Sequence, residues 1–313
     1  MDLSWPIGSS VNDEIPSKQY LGGDFQLVYP TVDDVAARIL ALGPGCLLFK
    51  RDLKRAYRQF PVDLGDYHLC GYSWRDQMFF DVVLPMGLRS AAMACQRVTN
   101  AVRYMCSSQG HDILNNMDDF TGVSHPDRAL AAYNFLGELL HNFHLEESEQ
   151  KAEPPSTSMT ILGVQFDTVS MTMSVTHERL RELSALLSEW ATFTVASKAQ
   201  LQSLVGKLVF VSKCVKQSRI FLSRILELLR ALSDGRSKVQ LSEDFHRDLA
   251  WWRRFLPLYN GVSYLYSAPW SAPDAVFSTD ACLSGCGGLC GTRVLSLQVS
   301  FSHYVSWFGY QLP

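Results

Sequence analysis

The sequence predicts an α+β fold in two main parts, residues 1–175 and 176–258, followed by a final stretch, 259–313. Two observations carry this. Up to residue 175, short apolar runs that read as strands are interspersed with helical stretches and separated by turn signals such as Gly43-Pro44-Gly45 and Pro154-Pro155. From Thr176 onward the apolar spacing becomes helical, with Leu180, Leu183, Leu186 and Leu187 on one stripe. A hydrophobic content of 47% over 313 residues is enough for two or three cored domains.

The elements follow in order. Pro30-Thr31-Val32-Asp33-Asp34 before VAARILAL predicts a helix whose Thr and Asp satisfy its first amides, so this aspartate pair is structural. Cys46 to Leu53 reads as a buried strand with Asp52 near its end, where a side chain can emerge into a cleft. Tyr67 to Val83 reads as strands turning near Arg75-Asp76. Ala94, Val98, Ala101 and Met105 supply the apolar face of a helix over 90–107. Asp118-Asp119 then sits at the tip of a hairpin, with a helix at 127–143 and short strands at 160–175 beyond it. His141 and His144 read as a helix end rather than as ligands. The stretch 207–230 reads as one helix. At 100° per residue Lys213, Lys216, Arg219, Arg224 and Arg230 share an arc largely opposite Leu208, Val211, Val215, Phe221, Leu222, Ile225 and Leu229, and only Glu227 balances the charge. Two readings stay open for that arc, a solvated face or a surface for a polyanion.

No apolar run approaches the roughly 20 residues a membrane-spanning helix needs, and the first residues do not begin a secretory signal, so no membrane association is expected. Eight cysteines without paired spacing suggest free thiols in a reducing compartment, cytoplasmic or nuclear. The net charge of −3 hides a split. Residues 1–175 carry 13 Lys and Arg against 21 Asp and Glu, and residues 176–313 carry 15 against 10, so the basic surface belongs to the C-terminal half.

The chemistry rests on Asp52, Asp118 and Asp119. Two like charges at the tip of a part-buried hairpin raise each other's pKa unless a cation neutralises them. Mg²⁺ (or Mn²⁺) is the natural partner, because it takes carboxylate oxygen together with substrate phosphate. Two such ions about 3.5–4 Å apart can activate a hydroxyl and stabilise a leaving oxygen. Around Asp52, the run KRDLKRAYR gathers Lys50, Arg51, Lys54, Arg55 and Arg58, a cluster that suits phosphate or lies exposed at a strand end. Gly87 in LPMGL allows close backbone approach to a ligand, or serves a Pro-x-Gly turn.

The ordered triple of Asp52, LPMGLRSA at 84–91 and NMDDF at 116–120 reads as a template-dependent polymerase palm. With DLSWPIGSSVNDEIP at 2–16, YPTVDDV at 29–35, FKRDLKRAYRQFPV at 49–62 and ILG at 161–163, the chain resembles retroelement reverse transcriptases, most closely those of DIRS-like retrotransposons. The resemblance implies a right-hand polymerase: fingers and a ferredoxin-like palm over 1–175, a helical thumb and connection over 176–258, and an incomplete RNase H-like α/β end over 259–313. It implies RNA-directed DNA polymerase activity, adding deoxynucleotides to a primer on an RNA or DNA template with two Mg²⁺ ions. Asp52 and Asp118 would bind the metals, with Asp119 and the Leu53 carbonyl completing the set. Leu53, Ala56, Tyr57, Met86, Gly87 and Lys151 would form the dNTP site. Tyr57 would be the steric gate against a ribose 2′-hydroxyl, and Lys151 would lie near the leaving phosphates or be an exposed loop lysine. Lys213, Lys216, Arg219, Arg224 and Arg230 would track the nucleic-acid backbone without reading bases.

Departures from the pattern are also readable. Asn116 stands where the family has an aromatic residue, Ala92 where it has proline and Cys95 where it has phenylalanine. The family's basic stretch before DLSWP, with its triphosphate-gripping arginine, is expected to be missing, and both ends read as cut. DLAWWRRFLPLYNG at 248–261 and FSTDACLSGCGG at 277–288 resemble the connection and first strands of RNase H, with Asp280 its first metal ligand, but no Asp or Glu follows Asp280, so RNA cleavage is not expected. Cys282, Cys286 and Cys290 lack the spacing of a zinc knuckle. The alternative to an active polymerase is a decayed or repurposed copy that keeps the fold and at most binds nucleic acid. An RNA-making polymerase is disfavoured by Tyr57.

Overall fold

Side-chain alternation along three strands decides the architecture. A computed structural model describes residues 2–20, 22–232, 238–265, 277–282 and 285–298, and the chain divides into two compact units, Met1–Tyr266 and Ser267–Pro313. The first unit opens with a short ribbon, β1 (Gln19–Tyr20) on β2 (Gly23–Asp24). Helix α1 (Val32–Leu42), strand β3 (Leu47–Asp52), the hairpin β4 (Gly71–Trp74) and β5 (Gln77–Phe80), and helix α2 (Ala91–Ser108) follow. Next come the hairpin β6 (Ile113–Asn116) and β7 (Asp119–Ser124), helix α3 (Pro126–Asn142), and strands β8 (Glu153–Ser156), β9 (Ser158–Ile161), β10 (Val164–Asp167) and β11 (Thr172–Val175). The remainder is α4 (His177–Trp190), β12 (Val195–Ser197), α5 (Lys198–Ser212), α6 (Ser223–Ala231), β13 (Lys238–Gln240), α7 (Glu243–Phe255) and β14 (Val262–Tyr264).

The central sheet runs β6-β7-β3-β8, with β3 antiparallel to both neighbours. Because successive residues of a strand face opposite ways, it buries both faces. Phe49, Leu53, Ile113 and Phe120 join Cys95, Val102 and Cys106 of α2 and Ala132, Leu136 and Leu140 of α3 in one core. Leu48, Leu114 and Val123 point the other way, into a larger core shared with Val32, Val35 and Ile39 of α1, with the sheet β14-β11-β10-β9, and with α4 to α7. Gly122 is required where it stands: it pairs with Phe49 across β3 and β7, and a Cβ there would lie 2.0 Å from the Phe49 ring. Thr31 caps α1 with a reciprocal bond to Asp34, as the sequence predicts.

Two sequence-based expectations are corrected. The buried face of α2 carries Cys95, Gln96, Thr99, Val102 and Cys106 rather than Ala94, Val98, Ala101 and Met105. Its polar members are taken up by the β6–β7 hairpin, while Ala94, Val98 and Ala101 line a separate cavity of about 750 Å³ with Phe60 and Leu69. The predicted single helix at 207–230 is broken into α5, a 3-10 turn at Lys216–Leu222, and α6. Ser212, Ser218 and Ser223 each bind the carbonyl three residues back, on Val209, Val215 and Ile220, bonds that compete with a continuous helix. The arc computed for one straight helix therefore does not exist.

In the second unit β15 (Phe277–Cys282), β16 (Gly285–Cys290) and β17 (Arg293–Gln298) form an antiparallel sheet, with Asp280 opposite Gly287. Cys46, Cys70, Cys95, Cys106 and Cys214 are buried free thiols. Among the described residues, no helix is long and apolar enough to cross a membrane.

Candidate active site

Strand register brings the three aspartates together. Asp52, the last residue of β3, pairs with Asp119, the first of β7, and Met117-Asp118 is the two-residue turn joining β6 to β7. Met117 takes the left-handed conformation that such a turn requires, at φ 58°. The Leu53 N–H donates to the Asp118 carbonyl at 2.9 Å and ties the turn to the end of β3. The Leu53 carbonyl stays out of the neighbouring bridge to Glu147, whose bonds run from Lys54 N–H to Glu146 and from Ser148 N–H to Asp52.

Asp52, Asp118, Asp119 and Asn116 line one cleft of about 530 Å³ with Lys50, Lys151, Thr121, Glu153 and Pro30. Lys151 Nζ lies 3.0 and 3.1 Å from the two oxygens of Asp52, which is 5% exposed. That bond to Asp52 holds the Lys151 ammonium above its ordinary pKa. Burial, the hydrogen bond to Asp52 and the charges of Asp118 and Asp52 push Asp119 up to about 7. Asp119 as a residue is exposed; it is its carboxyl that is crowded. Burial, with the charge of Asp52 added, also raises Asp118. These carboxylates are short of positive charge, which is the condition a divalent cation relieves. Among the described residues no three His, Cys, Asp or Glu side chains gather closely enough to hold a metal alone. Mg²⁺ takes one or two carboxylates and completes its shell with water and substrate phosphate. The donor set thus fits.

A buried polar network that the sequence reading missed anchors the hairpin to α2. Gln96 Oε1 accepts the Met117 N–H at 2.9 Å, and Gln96 Nε2 donates to Asn100 Oδ1 at 2.9 Å. Asn115 Nδ2 donates to Asn100 Oδ1 and to Thr99 Oγ1, at 2.8 and 3.0 Å. The available signal was Gln96, Thr99 and Asn100 at helical spacing three and four apart, just before two asparagines in a strand.

The other expected residues divide. Ala56 is buried in the core with Leu53 and Cys95, and the Tyr57 hydroxyl lies 3.8 Å from Met117 Sδ, with burial raising its pKa. Met86 is 72% exposed and Gly87 has φ 91°, and neither lines the carboxylate cleft; the Gly87 carbonyl is held by Asn12 Nδ2 at 2.8 Å. The basic cluster around Asp52 is largely neutralised. Lys50 pairs with Glu153, Lys54 with Glu146 and Arg58 with Asp81. Arg51 points to the opposite sheet face from Asp52, stacks 3.8 Å from the Tyr133 centroid, and pairs with Glu147. Strand parity forbids it a role beside Asp52. Of the C-terminal bases, Lys213 packs on Phe210 and Arg224 pairs with Asp248, whereas Arg219 and Arg230 are exposed. The Lys216 side chain lies outside the described residues. Asp280 is exposed in β15 of the second unit.

No protein-family model matches the chain, and no curated protein does. Solved structures do. A foamy viral protease-reverse transcriptase in complex with double-stranded DNA superposes with a TM-score of 0.61 at 15% identity, over 94% of this chain and 48% of that one. The fold is reverse-transcriptase-like. A second foamy viral protease-reverse transcriptase structure with double-stranded DNA gives a TM-score of 0.57 at 14% identity, over 94% of this chain and 57% of that one. One with an RNA/DNA hybrid gives 0.57 at 13%, over 92% and 35%. The present chain spans about half of the length of the first of these proteins.

Proposed function

We propose that the chain is the polymerase part of a DIRS-like retroelement reverse transcriptase, acting on a primer paired to an RNA or DNA template. One observation carries the reading: in a reverse-transcriptase-like fold, Asp52 at a strand end and Asp118-Asp119 at a facing hairpin line the same charge-deficient cleft. In this reading residues 1–175 are fingers and palm, 176–258 thumb and connection, and 259–313 an incomplete RNase H-like end to which Asp280 belongs.

Asp52 and Asp118, with Asp119 and the Leu53 carbonyl beside them, would hold two Mg²⁺ ions, which supply charge neutralisation and activation of a hydroxyl at a phosphate. The primer 3′-hydroxyl attacks the α-phosphate of a deoxynucleoside triphosphate, and pyrophosphate leaves. Lys151 transfers its ammonium from Asp52 to the leaving phosphates. Tyr57 walls the sugar, Ala56 belongs to the same nucleotide site, Met86 and Gly87 bound the nascent pair, and Arg219 and Arg230, more than Lys213 or Arg224, meet the nucleic-acid backbone.

Primer extension on RNA and DNA templates with Mg²⁺ or Mn²⁺ tests this. The expected outcome is extension by the wild-type chain and its loss in Asp118→Asn; an equal rate in the variant sinks the assignment. Duplex binding with a steep salt slope but no wild-type extension selects instead a chain that keeps the fold without the chemistry.

A further inference from the structure

Tyr29 carries no role in the sequence reading, yet it reaches the candidate site from the extended segment ahead of α1. Its hydroxyl donates to Met117 Sδ at 3.3 Å, and the Tyr57 hydroxyl meets the same sulfur at 3.8 Å. Met117 is itself fixed in backbone by its bond to Gln96 and sits between Asn116 and Asp118, both of which line the carboxylate cleft. Pro30, next to Tyr29, lines that cleft as well. The fully buried Cys95 is an electrostatic neighbour of both tyrosines. A methionine side chain has three rotatable bonds and on its own orients nothing. Two phenols converging on one thioether remove that freedom, and Tyr57 is held through the same atom.

We propose that Tyr29 is a specificity-determining positioning residue: through Met117 it fixes the Tyr57 ring against which the sugar of the incoming nucleoside triphosphate is judged. This rests on the polymerase reading and on Tyr57 as the gate. A deoxynucleotide and a ribonucleotide differ at that wall by one hydroxyl, so freedom of the ring is read out as sugar selectivity before it is read out as rate. The hydroxyl of Tyr29 matters here and its ring does not, which makes phenylalanine the informative replacement.

The experiment is single-nucleotide incorporation by the full chain, comparing kcat/KM for a deoxynucleotide with that for the matching ribonucleotide. The expected result for Tyr29→Phe is a rise of about twofold to threefold in relative ribonucleotide use, the ratio equivalent of the lower end of a hydrogen bond's net worth, because a thioether sulfur is a weak acceptor. In a Met117→Leu background the same change has no further effect, because the acceptor is gone. A loss of stability alone lowers both nucleotides together and leaves the ratio still. An unchanged ratio in Tyr29→Phe, with Tyr57→Ala shifting it, overturns the role of Tyr29 and leaves the gate. An unchanged ratio in both overturns the gate and this inference with it, and a wild-type chain that incorporates neither nucleotide overturns the polymerase reading beneath them.

Discussion

Replacing Gln96 by leucine isolates the network that holds the hairpin. Gln96 is 2% exposed and makes two side-chain bonds, accepting from Met117 N–H and donating to Asn100 Oδ1, each at 2.9 Å. Leucine fills nearly the same volume, so the cost is mainly polar. It strands one backbone donor, at about 1–3 kcal/mol, and removes a second bond whose acceptor keeps Asn115, at about 0.5–1 kcal/mol. A net loss of about 1.5–4 kcal/mol corresponds to a fall in Tm of about 3–16 °C for a unit of this size. Thermal and urea unfolding measure it, and a double-mutant cycle with Asn115→Ala tests the connection through Asn100, with a coupling of at least about 0.5 kcal/mol expected. A Tm within about 1 °C of wild type, or strict additivity of the two variants, refutes the claim that these residues form one support for the turn.

Three further outcomes follow from the same geometry. Gly122→Ala puts a Cβ against the fully buried Phe49 ring and is expected to cost about 3 kcal/mol or more, partly recovered by Phe49→Leu in the same chain; a silent Gly122→Ala in urea unfolding disproves the close approach. Gly137→Ala is milder, at about 1–2 kcal/mol, because its Cβ would lie 2.6 Å from the Arg51 guanidinium, whose stacking on Tyr133 it displaces; an unaltered Tyr133 environment in near-ultraviolet circular dichroism counts against it. The third concerns pH and metal. Asp119 has its folded pKa raised to about 7 from an ordinary 3.8, so the stability it contributes is fully present below about pH 4 and is lost as pH rises through about 7. Added Mg²⁺ should therefore raise Tm more at pH 8 than at pH 5, and a shift equal at both values removes these carboxylates as the cation's ligands.

Periodicity explains both what could be read in the sequence and what could not. The end of β3, the hairpin around Asp118, whose turn falls one residue earlier than expected at Met117-Asp118, and the capping box at Thr31 were legible because each depends on local pattern alone, two-residue alternation or side-chain bonds to nearby amides. The face of α2 was not. Its residues offer two plausible stripes one position apart, and the choice between them is made by Asn115 and the Met117 amide, partners more than a dozen residues away whose polar demand outweighs the apolar count. The two readings of the cations beside Asp52 could not be separated in the sequence for a related reason. The run KRDLKRAYR looks like one basic patch when read as a string, but the pleat sends Lys50 and Arg51 to opposite faces, where Glu153 and Glu147 meet them from segments about a hundred residues on. Arg55 alone in that run has no ion-pair partner among the described residues, and it sits at φ 55°, past the end of the strand, where no pleat constrains it. A charged run therefore predicts a phosphate site only after strand parity has assigned its members to faces. Applied here, that rule leaves Lys50 on the cleft face paired with Glu153, and Lys151 on Asp52 as the cation the cleft supplies from another segment. The acids of the cleft were visible in the sequence because they lie at ends and turns; Lys151, which answers them through the tertiary fold, was reached by resemblance and not by local pattern.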